Sequence, residues 1–363
     1  MNNKNCIVIA AGGTGGHVFL SIGLANYLKK DYDIEIVTDE RGIKYFHNYK
    51  NIRTKKITSS RIFNKNIIYF IIGITKVFLS IISSMIFLIK LKPKLIIGMG
   101  GYSSFPVCLS GFFLKIPIFI YENNLVIGRA NKILLPFSKK ILVSTSNIQG
   151  INKKYKNKIS HIGFLLRDNL LVERNINLEV TKNNLSVLII GGSQSAKVFG
   201  EQIPEVIKEC YKKRVKFNIY QQCLESQKID IQNIYRKLNI KFELFSFCDD
   251  LSKYYQKSDI AITRCGASSM AELVNLRIPF IAIPLPSSID NHQLENAKYF
   301  NKKNYCFLLE QKFILSKLLS ILEDANQDRK KLYSFKQKMS KHSDKECLMK
   351  AKQIIENYFN GKI

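Results

Sequence analysis

Two glycine-dense turns hold most of the chemistry legible in this chain. Gly12-Gly13-Thr14-Gly15-Gly16-His17 follows the apolar run Ile7-Val8-Ile9-Ala10, and Gly191-Gly192-Ser193-Gln194-Ser195 follows Val187-Leu188-Ile189-Ile190. Each reads as a buried strand, a tight turn and a helix N-terminus. Such a turn offers backbone N–H groups and the positive end of a helix dipole to an anion, most often a phosphate. Two of them point to two nucleotide-fold halves facing each other across a cleft, where a phosphate-rich donor meets a phosphate-rich acceptor. For His17 two roles stay open. It either caps or packs the first helix, or stands beside the anion as a phosphate contact or as the base for an attacking hydroxyl.

Further polar loops fall at the ends of apolar runs. Gly98-Met99-Gly100-Gly101-Tyr102 is another glycine turn after a strand, and Glu122-Asn123-Asn124 ends the next strand at the same edge, as a turn or as a ligand contact. Loops at the carboxyl ends of parallel strands are where α/β folds bind ligands. In the second half, Arg264-Cys265-Gly266-Ala267-Ser268-Ser269-Met270-Ala271-Glu272 follows the strand Ile260–Thr263. Glu272 there either complements the helix dipole or accepts two ribose hydroxyls. Pro284-Leu285-Pro286 and Asp290-Asn291-His292-Gln293 close one more polar loop. A dinucleotide fingerprint is the competing reading of the first turn, with Gly13-x-Gly15 followed by Asp39 and Glu40 as ribose acids. Val18, however, occupies the third glycine position of that fingerprint.

The elements that must carry these loops alternate. Strands are predicted at 5–11, 34–38, 94–98, 117–121 and 140–144, then at 186–190, 217–221, 242–246, 259–263, 279–283 and 305–309. Helical segments lie between them, the first from about His17 to Lys29. This alternation predicts two doubly wound parallel sheets. The polar stretch Leu165–Asn184 reads as a linker, and the chain from Leu315 onward as lysine-rich helix.

A length of 363 residues exceeds a comfortable single core, and 46% hydrophobic with 23% charged residues describes a globular protein. The eight cysteines are scattered with no C-x-x-C pair, which argues against a zinc site or a disulfide framework and for a reducing compartment. The apolar run before the first turn is too short for a signal peptide. Codon drift that enriches Lys, Asn and Ile together is one reading of the formal charge of +28. The other is a polyanionic partner. Lys50, Arg53, Lys55, Lys56, Arg61 and Lys65 form a basic belt without an acid, and Ile67–Ile89 behind it has Lys76 as its only charge. That stretch is long enough to span a bilayer. Its place inside a βαβ series argues against spanning, as does the central lysine, which costs ~2.5–3.5 kcal/mol on insertion. Two readings remain: a helix with one face on the sheet and another at an anionic membrane surface, or a helix wholly buried and broken near Gly73.

GGTGGH at 12–17, GMGGY at 98–102, ENN at 122–124, GGSQ at 191–194, RCGASSMAE at 264–272 and DNHQLENA at 290–297 together resemble the MurG family. These are UDP-N-acetylglucosamine transferases that convert lipid I to lipid II in peptidoglycan synthesis, and the likeness runs in order along essentially the whole chain. It implies an α/β GT-B glycosyltransferase fold of two Rossmann-like domains. Residues 1–164 would form the acceptor and membrane-associating domain, 165–184 the linker, 185–340 the UDP-GlcNAc domain, and 341–363 a helix packing back on the first domain. It also implies inverting transfer of GlcNAc to the 4-hydroxyl of MurNAc in undecaprenyl-diphosphate-linked lipid I, by a peripheral enzyme on the cytoplasmic membrane face.

Carried over by motif, the resemblance puts Ser193 on the donor pyrophosphate and Glu272 on the ribose. Ala267, Ser268, Ser269, Met270 and Ala271 would line the diphosphate and sugar, Gln293 would hold the GlcNAc, and the backbone near Cys248 would read the uracil. Thr14, Gly15, Gly16, Asn124 and Arg167 match further donor contacts. Gly13, Thr14, His17, Gly100, Gly101 and Tyr102 would face the lipid I diphosphate, with His17 and Asn124 the catalytic candidates. Helix N-termini can stabilise the leaving UDP, Asp249-Asp250-Leu251 is not a DxD metal motif, and neither a cofactor nor an obligatory metal is expected. Leu20 replaces a usual proline, Asn123 a usual glutamine and Ser195 a usual glycine, while Gly163-Phe164-Leu165-Leu166-Arg167 lacks the usual Asn-Pro. The competing functions are a nicotinamide-dependent oxidoreductase, disfavoured by Val18 and the second turn, and a basic nucleic-acid-binding protein. The latter rests on charge alone without a binding motif, so no nucleic-acid partner is expected.

Overall fold

A computed structural model describes residues 4–13, 15–49, 51–59, 67–167, 170, 184–192, 196–246, 248 and 250–362. The chain divides into two compact units, one of Met1–Leu171 with Asp344–Ile363 and the other of Val172–Ser343.

The first unit is built on strands β1 (Cys6–Ala10), β2 (Asp33–Thr38), β3 (Arg53–Lys56), β4 (Leu95–Gly98), β5 (Ile118–Glu122), β6 (Lys140–Val143) and β7 (Ile159–His161). They form one parallel sheet in the order β3-β2-β1-β4-β5-β6-β7. The central strands are apolar throughout because helices cover both faces of a parallel sheet. Helices α1 (Gly15–Leu28), α2 (Glu40–Ile43), α3 (Ile67–Leu91), α4 (Ser104–Phe113) and α5 (Arg129–Leu134) connect them. One face carries a core of Ile7, Ile9, Leu24, Leu28 and Phe119 that also takes in Leu348, Ala351 and Ile355 from late in the chain. The other face packs Val8, Ile96 and Ile120 against Leu88, Val107 and Leu134.

Helix α3 runs unbroken through the buried Gly73. Val77, Ser80, Ser84 and Leu88, at helical spacing, are buried, and Ser110 of α4 donates to the Ile81 carbonyl at 2.9 Å. The opposite face leaves Ile71, Phe78, Ile82, Ile86 and Ile89 exposed, Phe78 by 60%. By length and composition the segment Ile71–Leu91 could cross a membrane. Yet α3 joins β3 to β4 of one sheet, and a spanning helix would place those strands on opposite sides of the bilayer.

The second unit repeats the plan with β8 (Leu185–Ile190), β9 (Phe217–Gln222), β10 (Lys241–Phe245), β11 (Ile260–Thr263), β12 (Phe280–Ala282) and β13 (Cys306–Leu308), ordered β10-β9-β8-β11-β12-β13 and all parallel. Helices α6 (Ala196–Lys212), α7 (Lys228–Lys237), α8 (Ser252–Lys257), α9 (Ala267–Asn275), α10 (His292–Lys302), α11 (Ile314–Gln327) and α12 (Arg329–Met339) belong to it. The last helix, α13 (Cys347–Phe359), belongs to the first unit. Most of the Leu165–Asn184 stretch lies outside the described residues.

Candidate active site

In the first unit the two glycine turns meet backbone to backbone. Gly12 N donates to the Gly100 carbonyl at 3.0 Å, and Ser103 Oγ donates to the Ala11 carbonyl at 2.8 Å. A Cβ on Gly101 would lie 2.6 Å from Gly12 Cα, so neither turn tolerates a side chain at that contact. Gly100 and Gly101 adopt φ of +88° and +83°, the left-handed region that glycine enters without steric penalty. His17, on the first turn of α1 and half-buried, brings Nε2 to 3.5 Å from where a Cβ on Gly100 would sit. Gly15 and Gly16 open the same helix, and Tyr102 is half-buried beside Gly101.

At the end of β5, Glu122, which the sequence offers as part of a turn or a ligand contact, takes a positioning place in the loop that follows. Glu122 is 3% exposed and holds Asn124, whose backbone N and side-chain N donate to Oε1 at 2.9 and 3.1 Å. Asn131, which carried no signal beyond its place on a helix after that loop, donates to Glu122 Oε2 at 2.9 Å. Arg167 stacks its guanidinium on Phe19 of α1, 4.2 Å from the ring centroid. Thr14 and Ser193 lie outside the described residues.

Asp39 does not serve as a ribose acid of a dinucleotide site. It is 2% exposed and caps α2, accepting from the backbone N of Arg41 and Gly42, both at 3.0 Å, from the Arg41 guanidinium at 2.7 Å and from the Ser59 hydroxyl at 2.7 Å. Burial by itself would raise this carboxyl, but the bonds from Arg41, Ser59 and Gly42 outweigh it and hold it below the usual range. Its oxygens also lie where a side chain on Gly13 would go. Glu40 is exposed and pairs with Lys56 at 2.6 Å.

In the second unit Gly192, at φ +68°, donates its N–H to Gln222 Oε1 at 2.9 Å, and Gln222 Nε2 donates to the Ser246 carbonyl at 3.1 Å. One glutamine thus ties the turn after β8 to the loop after β10, where Cys248 is half-buried and its thiol donates to the Asp250 carbonyl at 3.0 Å. Helix α9 starts at Ala267 behind Gly266, whose Cα faces open space. Gly266 at the cap brings no side chain, and the positive end of the helix dipole at this N-terminus suits an anion. Ser268 and Ser269 are half-buried there, while Ala267, Met270 and Ala271 are buried.

Glu272 is 2% exposed, and Tyr255 donates its hydroxyl to Oε2 at 2.8 Å, which fixes the carboxylate. Gln293 Oε1 accepts from Cys265 N at 3.1 Å and Leu285 N at 3.0 Å, which turns its amide nitrogen away from those loops. Asn296 completes the clamp on Cys265 by donating to its carbonyl at 3.1 Å. Asp290 and Asn291, both left-handed at φ +52° and +53°, set the entry of α10 that delivers these residues. Arg264 is buried with its guanidinium stacked on Phe199, 4.5 Å from the centroid, and donates to the carbonyls of Ile283 and Pro284 at 3.3 Å each. Burial lowers its pKa to about 10, so it stays charged at neutral pH.

Each unit therefore gathers its own predicted residues at the carboxyl edge of its sheet. Residues 7–143 match the glycosyltransferase family 28 N-terminal domain and 186–356 the family 28 C-terminal domain. The UDP-N-acetylglucosamine–N-acetylmuramyl-(pentapeptide) pyrophosphoryl-undecaprenol N-acetylglucosamine transferase of Pelagibacter ubique is 39% identical over 94% of both chains. The Rickettsia felis protein of the same name is 34% identical over 89% of this chain and 94% of its own.

The chain belongs to the MurG family, within glycosyltransferase family 28.

The crystal structure of Acinetobacter baumannii MurG superposes with a TM-score of 0.78 at 24% identity, covering 98% of this chain and 99% of that one. The Staphylococcus aureus MnaA–UDP co-structure superposes at 0.69 with 14% identity, covering 98% and 97%. These likenesses show the fold, which is GT-B with two Rossmann-like parallel-sheet domains. The oxidoreductase and nucleic-acid readings find no support among these relatives.

Proposed function

We propose that this MurG-family glycosyltransferase transfers GlcNAc from UDP-GlcNAc to the 4-hydroxyl of MurNAc in undecaprenyl-diphosphate-linked lipid I, giving lipid II with inversion at the anomeric carbon. The observation that carries this reading is the 39% identity, over 94% of the chain, to a relative named for that transfer. The second unit binds the donor. The N-terminus of α9, with Ala267 to Ala271, receives the diphosphate, Glu272 the ribose, Gln293 the sugar and the loop at Cys248 the base. The first unit binds the acceptor diphosphate on Gly13, Gly100, Gly101 and Tyr102, and adds Gly15, Gly16, Asn124 and Arg167 as further donor contacts. His17 takes the proton from the attacking hydroxyl, and Asn124 supports it. As the glycosidic bond breaks, negative charge grows on UDP, and preorganised N–H donors stabilise it without reorganising. The test is transfer of radiolabelled GlcNAc from UDP-GlcNAc to a lipid I analogue, with an acceptor-free control. Acceptor-dependent product is expected, and its absence would refute the reading.

Glu272→Ala removes a charged hydrogen-bond acceptor and strands the Tyr255 hydroxyl. Loss of such a bond lowers UDP-GlcNAc affinity by about 10–100-fold, measured by calorimetry, with the fold retained. An unchanged dissociation constant would remove Glu272 from the ribose site.

The acceptor's lipid tail calls for a membrane surface, and the exposed face of α3 supports peripheral attachment on the cytoplasmic side. Phe112 and Phe113 at the end of α4 and Ile133 of α5 are likewise exposed, with Lys90, Lys92, Lys115 and Lys132 exposed beside them in sequence. Part of the belt expected at 50–65 is already engaged, since Arg53 and Lys56 lie in β3 and pair with Glu35 and Glu40. Lys50, Arg61 and Lys65 lie outside the described residues. Phe78→Glu with Ile82→Glu should abolish sedimentation with vesicles of phosphatidylcholine and phosphatidylglycerol while sparing turnover on a short-chain soluble acceptor. Sedimentation equal to that of the unaltered chain would exclude α3 as the anchor.

A further inference from the structure

We propose that Glu122 is a positioning residue of the first unit's reactive corner and takes no proton itself; this rests on the transferase reading above. A buried carboxylate beside a candidate catalytic asparagine is the obvious alternative to His17 as general base, and its hydrogen bonding argues otherwise. Oε1 accepts from Asn124 N at 2.9 Å and Asn124 Nδ2 at 3.1 Å, and Oε2 accepts from Gly128 N at 2.8 Å and Asn131 Nδ2 at 2.9 Å. A carboxylate has about four lone-pair directions, and all are occupied. A general base needs one aimed at the hydroxyl it deprotonates. Here, accepting a proton would mean expelling a donor that holds the loop.

What the bonds accomplish is geometric. They fix the side chain of Asn124, the turn at Gly128 that opens α5, and the orientation of Asn131. Asn131 Nδ2 also donates to the Tyr121 carbonyl at 2.9 Å and lies 3.6 Å from where a Cβ on Gly100 would sit. His17 Nε2 is 3.5 Å from the same point. The carboxylate thus acts, through Asn131, on the small space above Gly100 that His17 borders. A second observation points the same way. Asn131 is 2% exposed, and its carbonyl oxygen has no hydrogen-bond partner among the described residues. Folded proteins rarely leave a buried acceptor unsatisfied, and exceptions cluster where a group is held for a purpose.

The test compares Glu122→Gln and Asn131→Leu in the full chain, measuring kcat and KM for UDP-GlcNAc and a lipid I analogue across pH, with a thermal melt. The glutamine turns two acceptor directions into N–H groups facing N–H donors. Displacement of the loop by about an ångström should lower kcat roughly 100-fold, with the KM values little changed and the pH limbs of the residual activity those of the unaltered enzyme. Asn131→Leu keeps the branched side-chain shape, removes the bonds to Glu122 Oε2 and the Tyr121 carbonyl, and should lower kcat by a smaller factor of about ten, again with unaltered pH limbs. Disappearance of the acidic limb in Glu122→Gln would make the carboxylate the base and overturn the proposal. So would unaltered kcat in both variants, whatever the melting temperature. If the glutamine variant does not fold, kcat of Asn131→Leu decides alone. No transfer by the unaltered chain would instead remove the transferase reading, and this proposal with it.

Discussion

Replacing His17 with alanine should lower the turnover number for GlcNAc transfer by about 10²–10⁴-fold, the range for loss of a positioned acid–base group. Affinity for UDP-GlcNAc, measured by calorimetry, should not change, because His17 is proposed to contact the acceptor and the main donor groups Glu272 and Gln293 lie in the second unit. The expectation rests on placement. α1 begins at Gly15, so His17 emerges in its first turn, where the preceding backbone is all glycine or small residue and leaves the imidazole room to approach a substrate. Gly100, at φ +88°, presents no side chain toward Nε2. An alanine variant with unaltered turnover would take His17 out of the chemistry. A variant that instead lost donor affinity would recast it as a phosphate contact.

Gly101→Ala should be nearly as damaging, by a different route. An L residue in the left-handed region costs roughly 1–2 kcal/mol, and overpacking a fitted contact adds about 1–3 kcal/mol. The new Cβ would lie 2.6 Å from Gly12 Cα, too close for the two turns to keep their contact. A combined loss of about 2–5 kcal/mol corresponds to a fall in melting temperature of roughly 4–20 °C for a unit of this size. Transfer should fall with it, because parting the turns breaks the Gly12–Gly100 bond and moves the start of α1. Gly192→Ala is the matching control. Its φ is also left-handed at +68°, but no atom lies within 4 Å of the added carbon, so only the conformational term of about 1–2 kcal/mol should appear. Equal destabilisation of the two variants would show that the backbone contact contributes nothing.

The parts of this molecule that sequence revealed are those where one physical demand dominates. Runs such as Ile7–Ala10, Leu95–Gly98 and Leu185–Ile190 are buried on both faces, and every predicted strand appears within a residue or two of its expected bounds. Strands β3 and β7 escaped notice. β3 is Arg53-Thr54-Lys55-Lys56, mostly exposed, and both strands lie at sheet edges, where charge protects against further pairing and no apolar run is needed. Arg53–Lys56 was read instead as part of a membrane-facing basic belt. The glycine turns were legible because close backbone approach and positive φ demand that residue type. Asn131, Tyr255 and Gln222 carry no sequence signal for the site, because the partners of Tyr255 and Gln222 are distant in sequence and Asn131 lies inside a helix. Glu122 is legible as part of a strand-end turn or ligand contact, but its hold on the loop that follows is not. Glu272 was noticed by position, but its burial under Tyr255 depends on α8 packing beneath α9.

The first unit is assembled from two stretches of chain separated by the whole second unit. Asp344 Oδ1 accepts from Phe164 N at 3.0 Å, Tyr358 meets Phe119 edge-on with ring centroids 5.2 Å apart, and Leu348, Ala351 and Ile355 fill the core that Ile7 and Leu24 begin. During synthesis the groove for α13 therefore stands open while residues 172–343 are being translated. At 5–20 residues per second that interval is roughly 10–35 s. The second unit is contiguous and can close as it leaves the ribosome, so the nascent chain completes its two halves in the reverse of their starting order. For that interval the apolar groove awaiting α13 and the oily stripe of α3 are exposed together on the same half-made domain.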